Sequence, residues 1–89
     1  MFSLANKTVI ITGAGSGIGQ GIAVLFAKQG AHVEVFDLKQ ESAQETVDQI
    51  KAAGGSANAT ACDVGDYAGV KTLFDAVAAK HGKIDILVN

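Results

Sequence analysis

A glycine-rich segment near the start of the chain has the residue types and spacing to hold a phosphate group. Residues 12–19 read Thr-Gly-Ala-Gly-Ser-Gly-Ile-Gly and directly follow the apolar run 9–11. Glycines let backbone N–H groups approach phosphate oxygens, because no Cβ stands in the way. A helical pattern starts near Gly17, and its N-terminal end adds partial positive charge. The segment therefore predicts a diphosphate site and a dinucleotide cofactor, with a ligand-free glycine turn as the alternative.

The spacing of these glycines is more informative than their number. The general dinucleotide fingerprint G-x-G-x-x-G fails from Gly13, because its third glycine position falls on Ile18. The pattern that is present is Thr-Gly-x-x-x-Gly-Ile-Gly, with Gly13, Gly17 and Gly19 at its glycine positions. This pattern resembles the signature of the short-chain dehydrogenase/reductase family.

The resemblance extends along the chain and implies a set of cofactor contacts. It implies that the turn contacts the pyrophosphate and that an acid ending the second strand contacts the adenosine ribose. It also implies that an Asp-Val pair after the third strand binds adenine, and that an asparagine ending the fourth strand lies near the ribose. The implied contacts are Gly13, Ser16, Gly17, Ile18, Gly19, Asp37, Leu38, Asp63, Val64 and Asn89.

Asp37 bears on the choice between two cofactors. An acid at this position accepts hydrogen bonds from ribose hydroxyls and repels a 2′-phosphate, which predicts NAD and makes NADP the less favoured cofactor. Ser16 agrees, because relatives that prefer NADP often have an arginine there. We interpret Lys39, the one nearby cation, as a solvated residue at a helix start. A strand-end or capping carboxylate is the alternative for Asp37.

Tyr67 and Lys71 have the spacing Tyr-x-x-x-Lys that the resembling family uses for proton transfer. In that family the pair lies after the fourth strand, whereas Tyr67 and Lys71 precede it. We therefore interpret Tyr67 as a half-buried residue of a first helical turn and Lys71 as solvent-facing. The family's catalytic serine, tyrosine and lysine are not matched, so we expect no catalytic residue in this chain.

The remaining reactive side chains give no site of their own. Cys62 has no cation beside it in sequence and is expected to be a buried packing residue. His32 and His81 lack metal-ligand spacing to each other or to Cys62. We expect His32 at a strand start and His81 at a helix C-terminus, with no metal site.

These residues require a scaffold of alternating strands and helices. A continuous, β-branched run predicts a buried strand at 7–12, and an apolar run predicts another at 84–89. A strand at 31–37 would place Val33, Val35 and Asp37 on one face, and a weaker, alanine-rich strand is predicted at 56–62. Helical spacing predicts helices over 17–29, around 43–53 and around 70–78, the last closing at 80–82. The order β-α-β-α-β-α-β predicts an α/β, Rossmann-type parallel sheet with flanking helices and strand order 3-2-1-4. The first helix is expected to bury Ile18, Ile22, Leu25 and Phe26, with Gly21 close to the sheet.

Composition excludes several classes of function. The chain has 89 residues, 48% of them hydrophobic, 18% charged, and a net charge of −2, which fits one globular domain. This charge gives no reason to expect nucleic acid or an anionic membrane as a partner. The N-terminus lacks the features of a signal peptide, and no apolar run approaches the roughly 20 residues that span a bilayer. A single cysteine fits a reducing compartment, so we expect a cytoplasmic protein.

Residues 1–89 are thus expected to form the adenosine-binding half of a dinucleotide-binding domain, without the nicotinamide half. The resemblance implies that the parent enzyme is an NAD(H)-dependent oxidoreductase that moves hydride between the cofactor and an alcohol or ketone. It also implies a homo-oligomer, and the short chain alone is expected to be inactive. A non-catalytic nucleotide sensor or scaffold is one alternative. An S-adenosylmethionine-dependent methyltransferase is another, disfavoured because that cofactor has no diphosphate.

Overall fold

Strands and helices alternate along the chain, and the computed structural model describes residues 3–88. The strands are β1 (Thr8–Thr12), β2 (His32–Asp37), β3 (Ser56–Ala61) and β4 (Ile86–Val88), and the helices are α1 (Gly17–Lys28), α2 (Gln40–Ala52) and α3 (Tyr67–His81). All the strand pairs are parallel, and the sheet order is β3-β2-β1-β4. The predicted fold class and strand order are confirmed. None of the helices within 3–88 is long and apolar enough to cross a membrane.

The two central strands, β1 and β2, are covered on both faces, which explains why their buried residues are mostly apolar, with Glu34 of β2 as the charged exception. On one face, Ile11 and Val35 belong to a core that includes buried residues of α1 and α2. On the other, Ile10 and Phe36 pack with residues of α3. The rings of Phe36 and Phe74 lie 5.9 Å apart between their centroids. Because side chains alternate along a strand, every second residue of β2 faces α3.

Helix α1 approaches the sheet through its small residues. Ala23 and Ala27 are its buried residues, whereas Ile18 and Leu25 are 84% and 55% exposed. The predicted apolar face is therefore wrong at two of its four positions. Gly21 is also exposed, with open space where a Cβ would lie, so its predicted close packing against the sheet is wrong. Alanines bring the helix axis near the strands and leave its larger side chains at the flanks.

Asp85, the residue before β4, is hydrogen-bonded to the start of β1. Its Oδ2 accepts the Thr8 N–H at 2.8 Å, and its own N–H donates to the Thr8 carbonyl at 2.9 Å. The strand begins after this contact, at Ile86, and not at Ile84 as predicted. The Thr8 N–H bond lowers the pKa of Asp85 more than desolvation raises it, and Lys83 lowers it further.

We expect this contact to make stability depend on pH in acid. A carboxyl group whose folded-state pKa is depressed stabilises the fold above its unfolded-state pKa, and that stabilisation is lost as pH falls through the folded value. Urea unfolding midpoints of wild type and Asp85→Asn, measured from neutral to strongly acidic pH, check this. The difference between the two proteins should shrink in acid. A difference that stays constant would contradict the assignment.

Candidate dinucleotide-binding site

Three strands end at the same edge of the sheet, and the residues that follow them line one cleft. Its volume is about 210 Å³. The lining residues are Gly13 after β1, Asp37 and Leu38 at the end of β2, and Cys62, Asp63 and Val64 after β3. Sequence-predicted residues that lie far apart along the chain are thus brought together. Asn89, predicted to lie near the ribose, falls outside the described residues.

The glycines of the turn have two different structural roles. Gly13 and Gly17 have φ of +68° and +60°, a region that L side chains rarely adopt. No heavy atom lies within 4 Å of where a Cβ would stand at either position, so both leave room for a ligand. At Gly19 the opposite holds, because a Cβ would lie 2.4 Å from the Gly13 carbonyl oxygen. Gly13 and Gly17 keep space open, whereas Gly19 allows α1 to start directly against the turn.

The N-terminus of α1 has the properties of an anion site. Ser16 is the N-cap residue, and its side chain makes no capping hydrogen bond. The first turn of α1 contains no acidic residue. No side chain of the helix therefore competes with an anion for the N–H groups of this turn, and the helix dipole favours negative charge there. The turn thus fits a pyrophosphate.

Asp37 holds the turn in place. Its Oδ2 accepts the Gly15 N–H at 3.0 Å, and its Oδ1 accepts the Lys39 N–H at 3.1 Å. An ionised carboxylate offers about four acceptor sites, so each oxygen retains capacity for a ribose hydroxyl. The strand-end role considered for Asp37 and its predicted ribose contact are therefore compatible, whereas it does not cap α2, which has no side-chain cap. Lys39 is exposed, in agreement with its interpretation as a solvated residue.

Thr46 supports the turn from α2 and was missed from the sequence. Its hydroxyl donates to the Ala14 carbonyl at 2.7 Å and accepts a hydrogen bond from Gln20 Nε2 at 3.1 Å. The residue is fully buried. The sequence did contain a signal for this role, because Thr46 is a polar residue on the helix face that also carries Ala43 and Val47. A buried hydroxyl requires a hydrogen-bond partner.

Two apolar side chains beside the cleft are exposed to solvent. Leu38 and Val64 are 69% and 58% exposed, and both line the cleft. Such a pair is suited to cover the faces of a flat ring such as adenine. Asp63 lies next to them and accepts the Gly65 N–H at 2.9 Å, so it also shapes the turn after β3.

The predicted unreactive residues have environments that agree with that interpretation. Cys62 is buried, and burial, followed by the charges of Asp63 and Asp66, raises the pKa of its thiol. A raised pKa keeps the thiol protonated and a poor nucleophile. Lys71 donates to Asp75 at 2.7 Å, which raises the pKa of Lys71. Tyr67 lies in the first turn of α3 as predicted, but it is 85% exposed, so the half-buried position expected for it is wrong.

The opposite edge of the sheet contains a contact that sequence spacing did not indicate. His32 starts β2 and His81 ends α3, as predicted. The fold nevertheless brings their ring centroids to 4.4 Å, and Glu34 lies beside them. The lack of metal-ligand spacing in the sequence therefore did not reflect their distance in space.

Comparison with known proteins identifies what this arrangement is similar to. The profile of the short chain dehydrogenase family matches residues 7–89. The chain is 46% identical over 88 residues to the D-threitol dehydrogenase of Mycolicibacterium smegmatis, covering 99% of this chain and 34% of that protein. The chain spans about a third of the length of such curated relatives.

Solved structures show the same backbone with either nicotinamide cofactor bound. A 7α-hydroxysteroid dehydrogenase complexed with NADH and 7-oxo glycochenodeoxycholic acid has a TM-score of 0.92 and 46% identity, covering 98% of this chain and 34% of that one. A metagenomic short-chain oxidoreductase in complex with NADP has a TM-score of 0.92 and 33% identity, covering 94% of this chain and 38% of that one. The backbone therefore does not distinguish NAD from NADP.

Proposed function

The chain belongs to the short chain dehydrogenase family, and from that premise we propose that residues 1–89 form the adenosine-binding half of an NAD site. The observation that carries the proposal is the uncapped N-terminus of α1 beside two glycines that leave open space. When bound, the cofactor supplies or accepts a hydride. The substrate we propose for the complete enzyme is an alcohol or ketone, and we place its catalytic residues outside this chain. Membership in this family disfavours the methyltransferase alternative.

Each predicted site residue has a proposed role in holding the cofactor. Backbone N–H groups at Ser16, Gly17, Ile18 and Gly19, together with the space at Gly13, receive the pyrophosphate. Asp37 accepts hydrogen bonds from the ribose hydroxyls. Leu38 and Val64 cover the adenine ring, and Asp63 accepts a hydrogen bond from the amino group of the adenine. We assign Asn89 to the adenosine ribose. The complete enzyme is proposed to be a cytoplasmic homo-oligomer, a location that the free thiol of Cys62 supports.

The proposed preference for NAD rests on the charge of Asp37. A 2′-phosphate bound at this ribose would bring negative charge next to a carboxylate that already holds the Gly15 N–H at 3.0 Å. The nearby Lys39 is directed to solvent and contacts Asp37 through its backbone. Repulsion between the two anions therefore favours the cofactor that lacks the phosphate.

Replacing Asp37 by asparagine should weaken NAD binding and reduce the discrimination against NADP. Losing a charge-assisted hydrogen bond to the ribose should cost on the order of 1.5 kcal/mol, about a tenfold loss of affinity. Calorimetric titration with NAD, NADP and ADP-ribose measures both effects. Asp48→Asn, an exposed site on α2 with the same change in charge, is the matched control. Equal affinity of the wild type for NAD and NADP would rule out the role given to Asp37.

A further inference from the structure

A second group of potential ligand atoms lies where the strands of the sheet begin, at the end opposite the cleft. His32 and Glu34 are on β2, and His81 ends α3. One ligand atom from each of these residues lies within 4.8 Å of the others. Glu34 is only 5% exposed, although it is a carboxylate on a strand of the core sheet. A buried acid between two imidazoles needs an explanation beyond surface solvation.

His81 provides a second, independent observation. Its Nε2 is buried and has no hydrogen-bond partner among residues 3–88. The atom lies 3.6 Å from Glu34 Oε2, so it is directed at the carboxylate without bonding to it. A tetrahedral ion with ligand bonds of about 2.0–2.1 Å separates its ligand atoms by about 3.3–3.4 Å. The separation of 3.6 Å between His81 and Glu34 is close to this value. His32 Nε2 contacts Glu34 Oε2 directly, so these two atoms must move apart to admit an ion.

Neighbouring side chains orient two of the three residues as metal sites require. The other ring nitrogen of His32, Nδ1, lies 2.5 Å from Ser56 Oγ. If Nδ1 donates to that hydroxyl, the lone pair of the imidazole is on Nε2, the atom that faces Glu34. Asn58 Nδ2 donates to Glu34 Oε2 at 2.9 Å and fixes the carboxylate. Both supporting residues come from β3, which pairs with β2 in register.

We propose that His32, Glu34 and His81 bind a divalent transition metal of the Zn²⁺ class. Two imidazole nitrogens and one carboxylate suit Zn²⁺, whereas Mg²⁺ and Ca²⁺ prefer ligand sets made of oxygen. The ion lies between His32 Nε2 and Glu34 Oε2, which otherwise contact each other directly, and gives the orphaned nitrogen of His81 a partner. Three protein ligands leave the fourth position to water. The bound ion fastens the end of α3 to the start of β2, at the end of the sheet opposite Asp37.

Metal titration of the purified chain tests this proposal. Competition with a chromophoric chelator should show one Zn²⁺ per chain, and Mg²⁺ should not displace it. Ser56→Ala should weaken Zn²⁺ binding about tenfold, because removing a partner of a ligating histidine typically costs that much. His81→Gln and Glu34→Gln should each weaken it further. Glu45→Gln, at an exposed carboxylate on α2, is the matched control and should leave binding unchanged.

Cobalt substitution keeps the test decisive where a ligand variant fails to fold. Co²⁺ bound to wild type should give the intense visible absorption of a four-coordinate ion, and Zn²⁺ should displace it. Zn²⁺ should leave NAD affinity unchanged, which separates this site from the proposed cofactor site. Absence of Zn²⁺ binding, the weak absorption of six-coordinate Co²⁺, or unchanged Zn²⁺ affinity in a folded His81→Gln protein would each overturn the proposal.

Discussion

Valine at position 17 should abolish cofactor binding while the chain remains folded. Gly17 has φ of +60°, and the Cβ position faces open space at the start of α1. A valine side chain would fill the space proposed for the pyrophosphate and separate it from the N–H groups of the first turn. We expect NAD affinity to fall more than about 100-fold, which corresponds to at least about 2.7 kcal/mol of binding free energy. Calorimetric titration with NAD measures this loss.

The substitution also strains the backbone, so the control must carry the same strain. Gly54, after the end of α2, has φ of +87° and likewise no atom within 4 Å of a built Cβ. It lies at the edge of the sheet away from the cleft. Gly54→Val should therefore lower the free energy of unfolding by about as much as Gly17→Val, on the order of 1–3 kcal/mol, and leave NAD affinity unchanged. A folded Gly17→Val protein that binds NAD normally would show that the turn is not the phosphate site.

Local sequence patterns predicted the fold well because each strand and helix carries its own signal. Central strands of a parallel sheet are mostly apolar, and glycines with positive φ mark several turns. The order of the strands follows from the crossover rules of such sheets. The resemblance to a known family pointed to Asp37 and Asp63, and both line one cleft because the residues after parallel strands meet at one edge.

What the sequence did not predict depends on distances between elements. Helix α1 buries Ala23 and Ala27 and not the larger Leu25, since the approach of the helix to the sheet decides which side chains fit. Thr46 became a support of the turn through its contact with Ala14, 32 positions away. Periodicity reports which face of an element is apolar, but it does not report such contacts.

The histidine cluster shows the same limit for a candidate site. His32 and Glu34 are two positions apart on β2 and therefore lie on the same face of the sheet, which the sequence could have indicated. His81 joins them because α3 crosses the face of the sheet that holds Ile10 and Phe36 and ends near the start of β2. Ligand spacing along the chain is a useful sign for metal sites within one loop or helix. It fails for a site assembled from a strand and a distant helix end.

Alanine at position 19 should destabilise the protein, although glycine is normally a poor helix residue. A Cβ at Gly19 would lie 2.4 Å from the Gly13 carbonyl oxygen and 3.1 Å from the Ala14 Cα, so the turn or the helix must shift. Such overpacking costs about 1–3 kcal/mol, which outweighs the gain of about 1 kcal/mol in helix propensity. NAD affinity should also fall, because the shift moves the turn that receives the pyrophosphate.

Gly21, two positions further along the same helix, provides the matched control. It is exposed, and no atom lies within 4 Å of its Cβ position. Gly21→Ala should therefore raise the free energy of unfolding by about 1 kcal/mol through helix propensity alone and leave NAD affinity unchanged. Urea unfolding and NAD titration of both variants check these opposite signs. If Gly19→Ala stabilised the chain as much as Gly21→Ala, the close contact between Gly19 and Gly13 could not be what positions α1 against the turn.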